Sequence, residues 1–367
     1  MYRYTKPYPS PWETGMAKTT IADVARLADV SASSVSNLLN GRSQRMRPAT
    51  RERIQDAIEA LGFTPSLAAR QLKTGHSPFI GLIVPSVADP FFGSFARYVE
   101  EEASEKDYQV LLGNSDRNSD RERKYAEMLW GSGVRGIIFG SSLVKFDHLA
   151  DLYREGMHFV SFYRSAHSGA QFIADSIGVD NIQATRLLTK HLLALGHRRI
   201  GFVSGPTDMI CRLDRLEGYY KTLEEANISI DKQLVWEGAK GDFGSTSFIE
   251  LGRQGAHYLL SLPAAPSAII AINDMHAFGV YAGARDLGVK VPEDLSVAGI
   301  DDIMLSAVSV TPLTTIKQPI RDIARLSVER LIDRLENDRA QEPVHLMLPS
   351  SLIVRESTSR YNGRPTR

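Results

Sequence analysis

The sequence has little cysteine and no long apolar run, and each shortage excludes a class of protein. Its 367 residues include one cysteine, Cys211, which rules out a framework of internal disulfides and fits a reducing compartment. No stretch approaches the roughly 18 consecutive apolar residues of a membrane-spanning helix, and the amino terminus lacks the apolar segment of a secretory signal. We therefore expect a cytoplasmic protein with no membrane partner. Residues 1–18 are interpreted as a disordered extension or, up to residue 15, as translated sequence upstream of a start at Met16.

The motifs of common enzyme classes are also missing. No GxGxxG follows a strand pattern, and there is no GxxxxGK[ST], HExxH, CxxC or GxSxG. His191 and His197 lie six residues apart, which is not the spacing of a helical metal pair, so capping or surface roles are expected. Cys211 has no histidine partner visible in the sequence and is expected to be inert. We predict that the chain is not an enzyme and uses no metal or cofactor.

Charge is balanced overall but unevenly placed. The chain has 43 basic and 43 acidic residues, yet nine lysines and arginines stand against five acids between Met16 and Gly75. This segment therefore has a net charge of +4, and the remainder is slightly acidic. Because a polyanion responds to a local excess of charge, the amino-terminal segment is the part suited to nucleic acid.

Three helical patterns follow one another closely in this basic segment. The first starts at Thr20, where Asp23 completes a capping signature three residues later. After a short turn, Ser31 caps a second helix that buries Val35. The third starts at Pro48, a favoured first helical position. Two helices joined by so short a turn have the spacing of a helix-turn-helix motif.

The exposed face of the second helix carries short, uncharged side chains. Such donors and acceptors let a helix backbone approach the base edges of the major groove. Taken alone, a serine-rich helix is better explained as a solvated surface, and the helix-turn-helix spacing is what favours the DNA-binding interpretation. Arginines at the entry to the third helix can neutralise phosphates. The face comprises Ala32, Ser33, Ser34, Ser36 and Asn37, and the arginines are Arg42, Arg45, Arg47, Arg51 and Arg53.

Residues 19–75 resemble the DNA-binding region of the lactose/galactose repressor family of bacterial transcription regulators. The stretches that carry the resemblance are "TIADVARLADVSASSVSNLLNG", "TRERIQDAIEALGFTPS" and "AARQLKTG". A helix of about eight residues starting at Pro65 is too short to be stable alone. The resemblance implies that it is a hinge helix, paired with a second copy, whose Leu72 enters the minor groove. The family usually has Arg or His at the position of Asn37, so the base preference stays open.

The resemblance and the helix-turn-helix pattern together define a predicted DNA-binding set. It comprises Thr20, Ser31, Ala32, Ser33, Ser34, Ser36, Asn37, Arg42, Arg45, Arg70, Leu72 and Lys73. We expect a helix-turn-helix domain over 19–64 and a hinge over 65–76. The partner implied is double-stranded DNA with an approximately palindromic operator, bound by a homodimer.

From Phe79 onwards, apolar runs alternate with amphipathic stretches in two successive sets. Buried strands are predicted at 79–85, 109–114, 136–141, 158–163, 200–205, 268–273 and 295–301. This alternation predicts two α/β lobes with parallel sheets. The core is expected over 77–360, with one lobe at about 77–178 plus 319–346, the other at about 179–318 plus 347–360, and a tail at 361–367.

Ligands of such sheets bind at the carboxyl ends of the strands, so residues just after each strand are candidates for a ligand site. Three of them also have a structural interpretation: Phe91 as core, Asp302 as a helix cap and Arg215 in a surface ion pair. Aromatic rings, amides, carboxylates and an arginine suit a polar, hydroxyl-rich molecule. The candidates after strands are Phe91, Phe92, Tyr163, Arg164, Asn273, Asp274, Asp301 and Asp302, and Arg215 and Phe243 join them from loops or helix starts between the strands.

The family resemblance extends over this region through "ALGHRRIGFVSGP", "AINDMHAFGVY", "VPEDLSVAGIDD" and "TPLTTIKQP". It implies a periplasmic-binding-protein-like core with a small-molecule effector in the cleft. By resemblance, Arg215, Asn273 and Asp301 contact the effector, Phe243 stacks on it, and Phe91 and Phe92 face the cleft. Tyr163 replaces an acid that often precedes Arg164, which favours an anionic ligand over a neutral sugar.

The function predicted is an allosterically controlled, sequence-specific transcription regulator, by resemblance a repressor. A solute-binding protein without a DNA role is the alternative, because the core alone would look the same. The basic amino-terminal segment and the missing secretory signal favour the regulator. Effector identity, operator sequence, and whether the effector releases or promotes DNA binding are left open.

Overall fold

The computed structural model describes residues 19–39, 43–44, 46–63, 77–140, 147–162, 175–205, 209–238, 247–337 and 342–363. The chain divides into two compact units, Met1–His76 and Ser77–Arg367. The described part of the first unit is called the headpiece below, and that of the second is called the body. Within the described ranges, no helix is both long enough and apolar enough to cross a membrane.

The headpiece contains three helices: α1 (Ile21–Leu27), α2 (Ala32–Leu39) and α3 (Pro48–Ala60). The predicted capping of α1 is confirmed, because the Asp23 amide donates to the Thr20 hydroxyl at 3.3 Å and the Thr20 amide donates to the Asp23 carboxylate at 3.0 Å. Ser31 likewise accepts from the Ser34 amide at 3.2 Å. The three helices share a small apolar core of Val24, Ala25, Ala28, Val35, Ile54, Ala57 and Phe63.

The body alternates strands and helices. Its strands are β1 (Phe79–Val84), β2 (Gln109–Asn114), β3 (Gly136–Phe139), β4 (His158–Ser161), β5 (Asp175–Val179), β6 (Ile200–Val203), β7 (Val235–Trp236), β8 (Ala268–Ala271), β9 (Ser296–Asp301), β10 (Thr314–Lys317), β11 (His345–Leu348) and β12 (Ser351–Ile353). Its α-helices are α4 (Pro90–Ser104), α5 (Ser119–Gly131), α6 (Ala150–Arg154), α7 (Asn181–Ala194), α8 (Ile210–Glu225), α9 (Ser247–Leu260), α10 (Asp274–Asp286), α11 (Met304–Val308) and α12 (Ile320–Glu336). Short 3₁₀ turns lie at Asp147–Leu149 and Lys232–Leu234.

The strands form two six-stranded sheets with the same internal order. The first sheet runs β2-β1-β3-β4-β5-β11, with every pair parallel. The second runs β7-β6-β8-β9-β10-β12 and is parallel except for β12, which is antiparallel to β10. Two α/β lobes with parallel-dominated sheets were predicted from the alternation, and the fold class is confirmed.

The chain passes between the two sheets three times. It leaves the first sheet after β5, returns from β10 through α12, and crosses again between β11 and β12. Helix α12 packs against α4 and against β3, β4 and β5, so it covers the first sheet. Residues at these crossovers can therefore sense the relative positions of the two lobes.

Several strand predictions need correction. Strand β2 was predicted to be buried, but most of its residues are half-buried or exposed because it is the edge of the first sheet. The predicted strands at 136–141 and 158–163 end earlier, at Phe139 and Ser161. Strands β5, β7, β10, β11 and β12 were missed, since several are short or carry polar side chains that dilute the apolar signal.

Candidate nucleic-acid interface and ligand cleft

Helix α2 presents a small, uncharged surface. Ser31, Ala32, Ser33 and Asn37 are exposed, and Ser34 and Ser36 are half-buried. Val35 on the opposite side is fully buried against the other two helices. The helix has no acidic residue in its first turn and no basic residue in its last. The predicted face is therefore open to a partner that approaches closely.

Local hydrogen bonds fix the hydroxyls at the start of this face. The Ser31 hydroxyl lies 2.8 Å from that of Ser33 and 2.9 Å from that of Ser34. The Thr20 hydroxyl, exposed at the start of α1, donates to Asp23 at 2.7 Å. Short side chains held by their neighbours lose little conformational entropy when they bind a partner.

The arginines near α3 are only partly described. Arg51 donates to the Ser43 carbonyl at 3.1 Å, and Arg53 lies 3.9 Å from Asp29 in an exposed pair. Arg47 occupies the N-cap position of α3. The other predicted contacts with DNA outside α2, namely Arg42, Arg45, Arg70, Leu72 and Lys73, lie outside the described residues, as does the hinge helix.

A cleft lies between the two lobes of the body, at the carboxyl ends of the strands. Five of the predicted ligand residues line it together: Phe91, Phe92, Arg215, Asn273 and Asp301. The other lining residues are Pro85, Asp89, Arg117, Gly140, Met209, Cys211, Arg212 and Ile272. Tyr163, Arg164 and Phe243 lie outside the described residues.

Arg215 is buried on α8 rather than part of a surface ion pair. Its Nε donates to the Asn181 side-chain oxygen at 2.8 Å, and one terminal nitrogen donates to the Ile272 carbonyl at 2.6 Å. The other terminal nitrogen lies 3.9 Å from the Asp301 carboxylate. Asn181 is the first residue of α7, directly after the crossover from β5. Arg215 therefore joins the cleft to a connection between the lobes.

Asp301 ends β9 in an uncommon backbone conformation. Its φ is 135° and that of Asp302 is 55°, both in the region that favours glycine. Such strain clusters at functional sites. Burial raises the pKa of Asp301 well above its ordinary value, although Arg215 opposes the shift. Gln318, in the crossover between β10 and α12, donates to its carboxylate at 2.6 Å.

The helix-cap role considered for Asp302 and the core role considered for Phe91 have different outcomes. Asp302 is not a helix cap, because Ile303 is the N-cap of α11 and the Asp302 carboxylate accepts from Arg355 at 2.6 Å. Phe91 belongs to the apolar core of the first lobe and also lines the cleft, so both interpretations apply to it. It packs edge-to-face on Phe92, with ring centroids 5.3 Å apart.

Asn273 and Asp274 begin α10 and have different roles. The Asn273 side-chain oxygen accepts from the backbone amide and the ring Nδ1 of His276, at 3.0 and 2.7 Å. Asp274 is fully buried, and it accepts from the Thr315 hydroxyl at 2.5 Å and the Ser306 hydroxyl at 2.7 Å. Burial raises the pKa of Asp274 to about 6. It ties α10 to α11 and β10 instead of facing the cleft.

Sequence reasoning missed three charged residues of the cleft: Asp89, Arg117 and Arg212. Asp89 caps α4 by accepting from the Phe91 amide at 3.0 Å, and burial raises its pKa. Arg117 follows β2 with a φ of 57°. Both come after the carboxyl end of a strand, so the rule that identified Phe91 could have found them.

Arg212 lies three residues before Arg215 on α8, which places both on one helix face. Its side chain is buried. The three-residue spacing from Arg215 is the sequence signal that could have identified Arg212.

The two histidines weighed as metal ligands have structural roles. The surface role predicted for His197 is wrong, because its side chain is buried and bonds the Ser267 hydroxyl at 2.8 Å and the Ser359 carbonyl at 3.0 Å. The capping role fits its backbone, since the His197 amide donates to the Leu192 carbonyl at 3.1 Å at the end of α7. His191 bonds the Thr358 hydroxyl at 3.0 Å. In the described part of the chain, no group of three metal-ligating side chains occurs. Cys211 is buried at the cleft.

Comparison with known proteins decides the family. Residues 20–66 match the model of "Bacterial regulatory proteins, lacI family", and residues 189–358 match the "Periplasmic binding protein-like domain". The HTH-type transcriptional regulator DegA of Bacillus subtilis is 32% identical over 346 residues, which cover 94% of this chain and 99% of DegA. The chain belongs to the lacI family of bacterial regulatory proteins. It is a DNA-binding transcription regulator, and members of its family are regulators rather than enzymes.

Solved structures of this family share the whole architecture. The lac repressor dimer bound to operator and the anti-inducer ONPF gives a TM-score of 0.80 at 26% identity, covering 93% of this chain and 99% of that one. A complex of the transcriptional regulator CelR with cellobiose gives 0.67 at 30% identity, covering 92% and 99%. The resemblance to the lactose/galactose repressor family is confirmed, and the interpretation as a solute-binding protein, which has no DNA role, is set aside.

Proposed function

We propose that this lacI-family regulator is a dimeric repressor that reads an approximately palindromic operator with α2 and responds to a small polar effector in the cleft. The observation that carries the proposal is the exposed, uncharged face of α2 on a separately packed headpiece. Its short side chains let the helix backbone approach the major groove. The related lac repressor binds operator as a dimer. The predicted DNA-binding residues, including Leu72 of the hinge, keep their proposed roles.

The effector is proposed to lie between the lobes against Phe91, Phe92, Arg215, Asn273 and Asp301. Buried polar groups beside aromatic rings suit a hydroxyl-rich molecule. The related CelR binds cellobiose, a sugar. A sugar or sugar derivative is therefore the proposed class of effector. Tyr163, Arg164 and Phe243 remain proposed members of this site.

The route from effector to DNA is proposed to run through the crossovers. Arg215 bonds Asn181, and Asp301 bonds Gln318, so both cleft charges hold a residue of a connection between the lobes. A ligand that engages Arg215 and Asp301 would favour one lobe arrangement over the other. It can shift the equilibrium only by its differential affinity for the two states, typically about 1–3 kcal/mol.

Dimerisation is supported by an apolar surface on the second lobe. Met304, Leu305, Val308 and Val310, on α11 and just after it, are exposed, and Val310 is completely so. Contiguous exposed apolar residues of this kind mark interaction sites. We propose that a second copy of the chain covers them. A cytoplasmic location, where DNA is accessible, and the lack of a catalytic role follow from the same proposal.

The test is selection of binding sites by the full-length chain from a pool of random DNA duplexes. The proposal predicts enrichment of inverted repeats, with two half-sites about one helical turn apart. Affinity for the selected duplex should fall steeply as salt rises, through release of counterions. Recovery of unenriched sequences, or of single asymmetric sites, would reject a dimeric operator-binding regulator.

A further inference from the structure

The cleft has more positive than negative side chains, and the positive ones come from both lobes. Among its described lining residues, three are guanidiniums, Arg117, Arg212 and Arg215, and two are carboxylates, Asp89 and Asp301. Arg117 comes from the first lobe, whereas the other two arginines come from α8 of the second. Positive charge therefore faces the cleft from both sides.

The two carboxylates do not cancel this positive charge fully. Burial raises the pKa of Asp89 and raises that of Asp301 well above its ordinary value, which disfavours their charged forms. Asp301 is also engaged by Arg215 at 3.9 Å and by Gln318. The carboxylate nearest to Arg215 is thus already committed within the protein.

The three arginines also act on a buried histidine next to the cleft. His276 is fully buried, and its pKa is held well below the ordinary value, first by burial and then by Arg212, Arg117 and Arg215. The side-chain oxygen of Asn273 accepts a hydrogen bond from the His276 ring at 2.7 Å. The imidazole is therefore neutral and adds no charge of its own to that of the three arginines.

Arg117 is placed so that it spans the cleft. Consecutive left-handed residues, Asp116 and Arg117, turn the chain after β2, and Asp116 is paired with Arg121. The Arg117 guanidinium then lies 4.7 Å from the ring centroid of Phe248 on α9 of the second lobe. A cation over an aromatic face is a modest attraction. A first-lobe cation thus already reaches the other lobe.

We propose that the effector of this chain carries a phosphate or carboxylate group, held between the lobes by Arg117 and Arg212 beside Arg215. The proposal rests on the function proposed above and narrows its ligand from polar molecules to anionic ones. Guanidinium groups match the geometry of both anions through paired hydrogen bonds. An anion that joins an arginine from each lobe stabilises the closed cleft.

The first test uses inorganic phosphate as the probe and the full-length chain. Thermal unfolding is followed with rising phosphate and, in parallel, with sodium chloride at matched ionic strength. We expect a saturable rise in Tm with phosphate beyond that with chloride. In Arg117→Gln/Arg212→Gln, the dissociation constant for phosphate should rise at least about 10-fold. Arg199→Gln, which removes an arginine paired with Asp231 outside the cleft, should behave as the original chain.

Two further variants guard against misfolding. Arg117→Gln alone changes a half-buried residue, and Arg117→Lys/Arg212→Lys keeps both charges. Arg117→Gln should reduce the rise in Tm that phosphate causes. Arg117→Lys/Arg212→Lys should keep most of that rise. Identical phosphate constants in the original chain and in the charge-removing variants would overturn the proposal.

The second test separates the two anions from each other and from neutral ligands. Glucose is compared with its charged derivatives glucuronate and glucose 6-phosphate, and ribose is compared with ribose 5-phosphate, by the rise in Tm that each compound causes. These five compounds are called the sugar panel below. We expect one or more charged members to raise Tm above their neutral parents, and the gain to vanish in Arg117→Gln/Arg212→Gln. Stabilisation by a neutral sugar that equals or exceeds that by its charged derivative would overturn the proposal.

Operator binding without ligand is measured on the same preparations. Intact binding to the selected duplex together with a failed anion test rejects only the ligand class. Absence of operator binding rejects the proposed function itself.

Discussion

The headpiece and the body build their binding surfaces in opposite ways. On the headpiece, the candidate surface is exposed and uncharged, and its side chains come from a short stretch of one helix. In the body, the cleft is lined by buried charges that come from chain segments more than two hundred residues apart, such as Asp89 and Asp301.

The difference follows from what each surface must bind. A major-groove helix must let a rigid polyanion approach its backbone, so it needs small side chains and little desolvation. A cleft for a small molecule gains selectivity from desolvated charges, but these are costly when their partners are removed. Substitutions of the buried cleft charges should therefore change stability, and those on the exposed face of α2 should change only DNA affinity.

The largest effect is expected for Arg215→Gln. This change leaves the Asn181 side-chain oxygen and the Ile272 carbonyl buried without their donor and removes the guanidinium beside Asp301. Each buried group left unpaired costs about 1–3 kcal/mol, so we expect a loss of about 3–5 kcal/mol. The matched control is Arg199→Gln, whose partly exposed pair with Asp231 is worth about 0–1 kcal/mol. Urea unfolding measures both. Equal losses in the two variants would contradict the contrast between the cleft and the surface.

Asp274→Asn tests how a buried carboxyl group behind the cleft makes the free energy of unfolding depend on pH. The pKa of Asp274 is raised from 3.8 to about 6 in the folded chain, so the folded state retains this proton at higher pH than the unfolded state. Its contribution to stability is therefore fully present below about pH 4 and declines as pH rises to about 6. The full loss is on the order of 3 kcal/mol, which corresponds to about two pKa units.

The free energy of unfolding of the variant should decline less between pH 4 and 6, because the contribution of Asp274 is gone while Asp89 and Asp301, whose pKa values burial also raises, still contribute. Asp274 also accepts from the Ile303 amide at 3.1 Å. Asn can keep this contact and the one to Ser306 through its side-chain oxygen, and the Thr315 hydroxyl can turn to accept from its amide. Asp286→Asn is the control, since hydrogen bonding by Arg253 lowers the pKa of Asp286 and its contribution is lost as pH falls. A decline of unchanged slope in Asp274→Asn would show that this carboxyl does not titrate as described.

Ser33→Glu sharpens the comparison from the headpiece side. A carboxylate on the exposed face of α2 would meet the negative charge of DNA, and we expect operator affinity to fall about 100-fold. The free energy of unfolding should change by less than about 0.5 kcal/mol, as for other surface substitutions. Ser94→Glu, which adds the same charge at an exposed position of α4, serves as the control. Equal operator affinities for the two variants would argue against α2 as the reading helix.

The smallest effect is expected for Gln318→Leu at a crossover. Removing the hydrogen bond to Asp301 should weaken the coupling between ligand and operator by about 1 kcal/mol, roughly 5-fold. Operator affinity without ligand should stay nearly unchanged. The readout is the ratio of operator dissociation constants with and without a compound of the sugar panel that raises Tm. An unchanged ratio would remove Gln318 from the proposed route.

The same contrast explains what the sequence could predict. The headpiece was predictable because its signals are local: Thr20 and Asp23 cap one helix, Ser31 caps the next, and Val35 marks the buried side. The order of the two sheets was not, since strands such as β10 and β11 are polar or short. In the cleft, Asp301 was identified by the strand-end rule and by family resemblance, whereas Arg215, expected in a loop or helix start between strands, was assigned to the ligand site by the resemblance.

The strand-end rule and the helix spacing mark Arg117 and Arg212 as candidates, but nothing in the sequence shows that a turn after β2 and the first turn of α8 meet across a cleft, and both were missed. Likewise, the burial of His197 depends on Ser267 and Ser359, which lie far along the chain.

The central claim is that occupancy of the cleft changes the affinity of the headpiece for DNA. The direct measurement is the dissociation constant for the selected operator, by fluorescence anisotropy, with and without the compound of the panel that most raises Tm. The account predicts a change of about 5- to 150-fold, and by reciprocity the operator should change the affinity for that compound by the same factor. Equal operator constants with the cleft empty and saturated would contradict it.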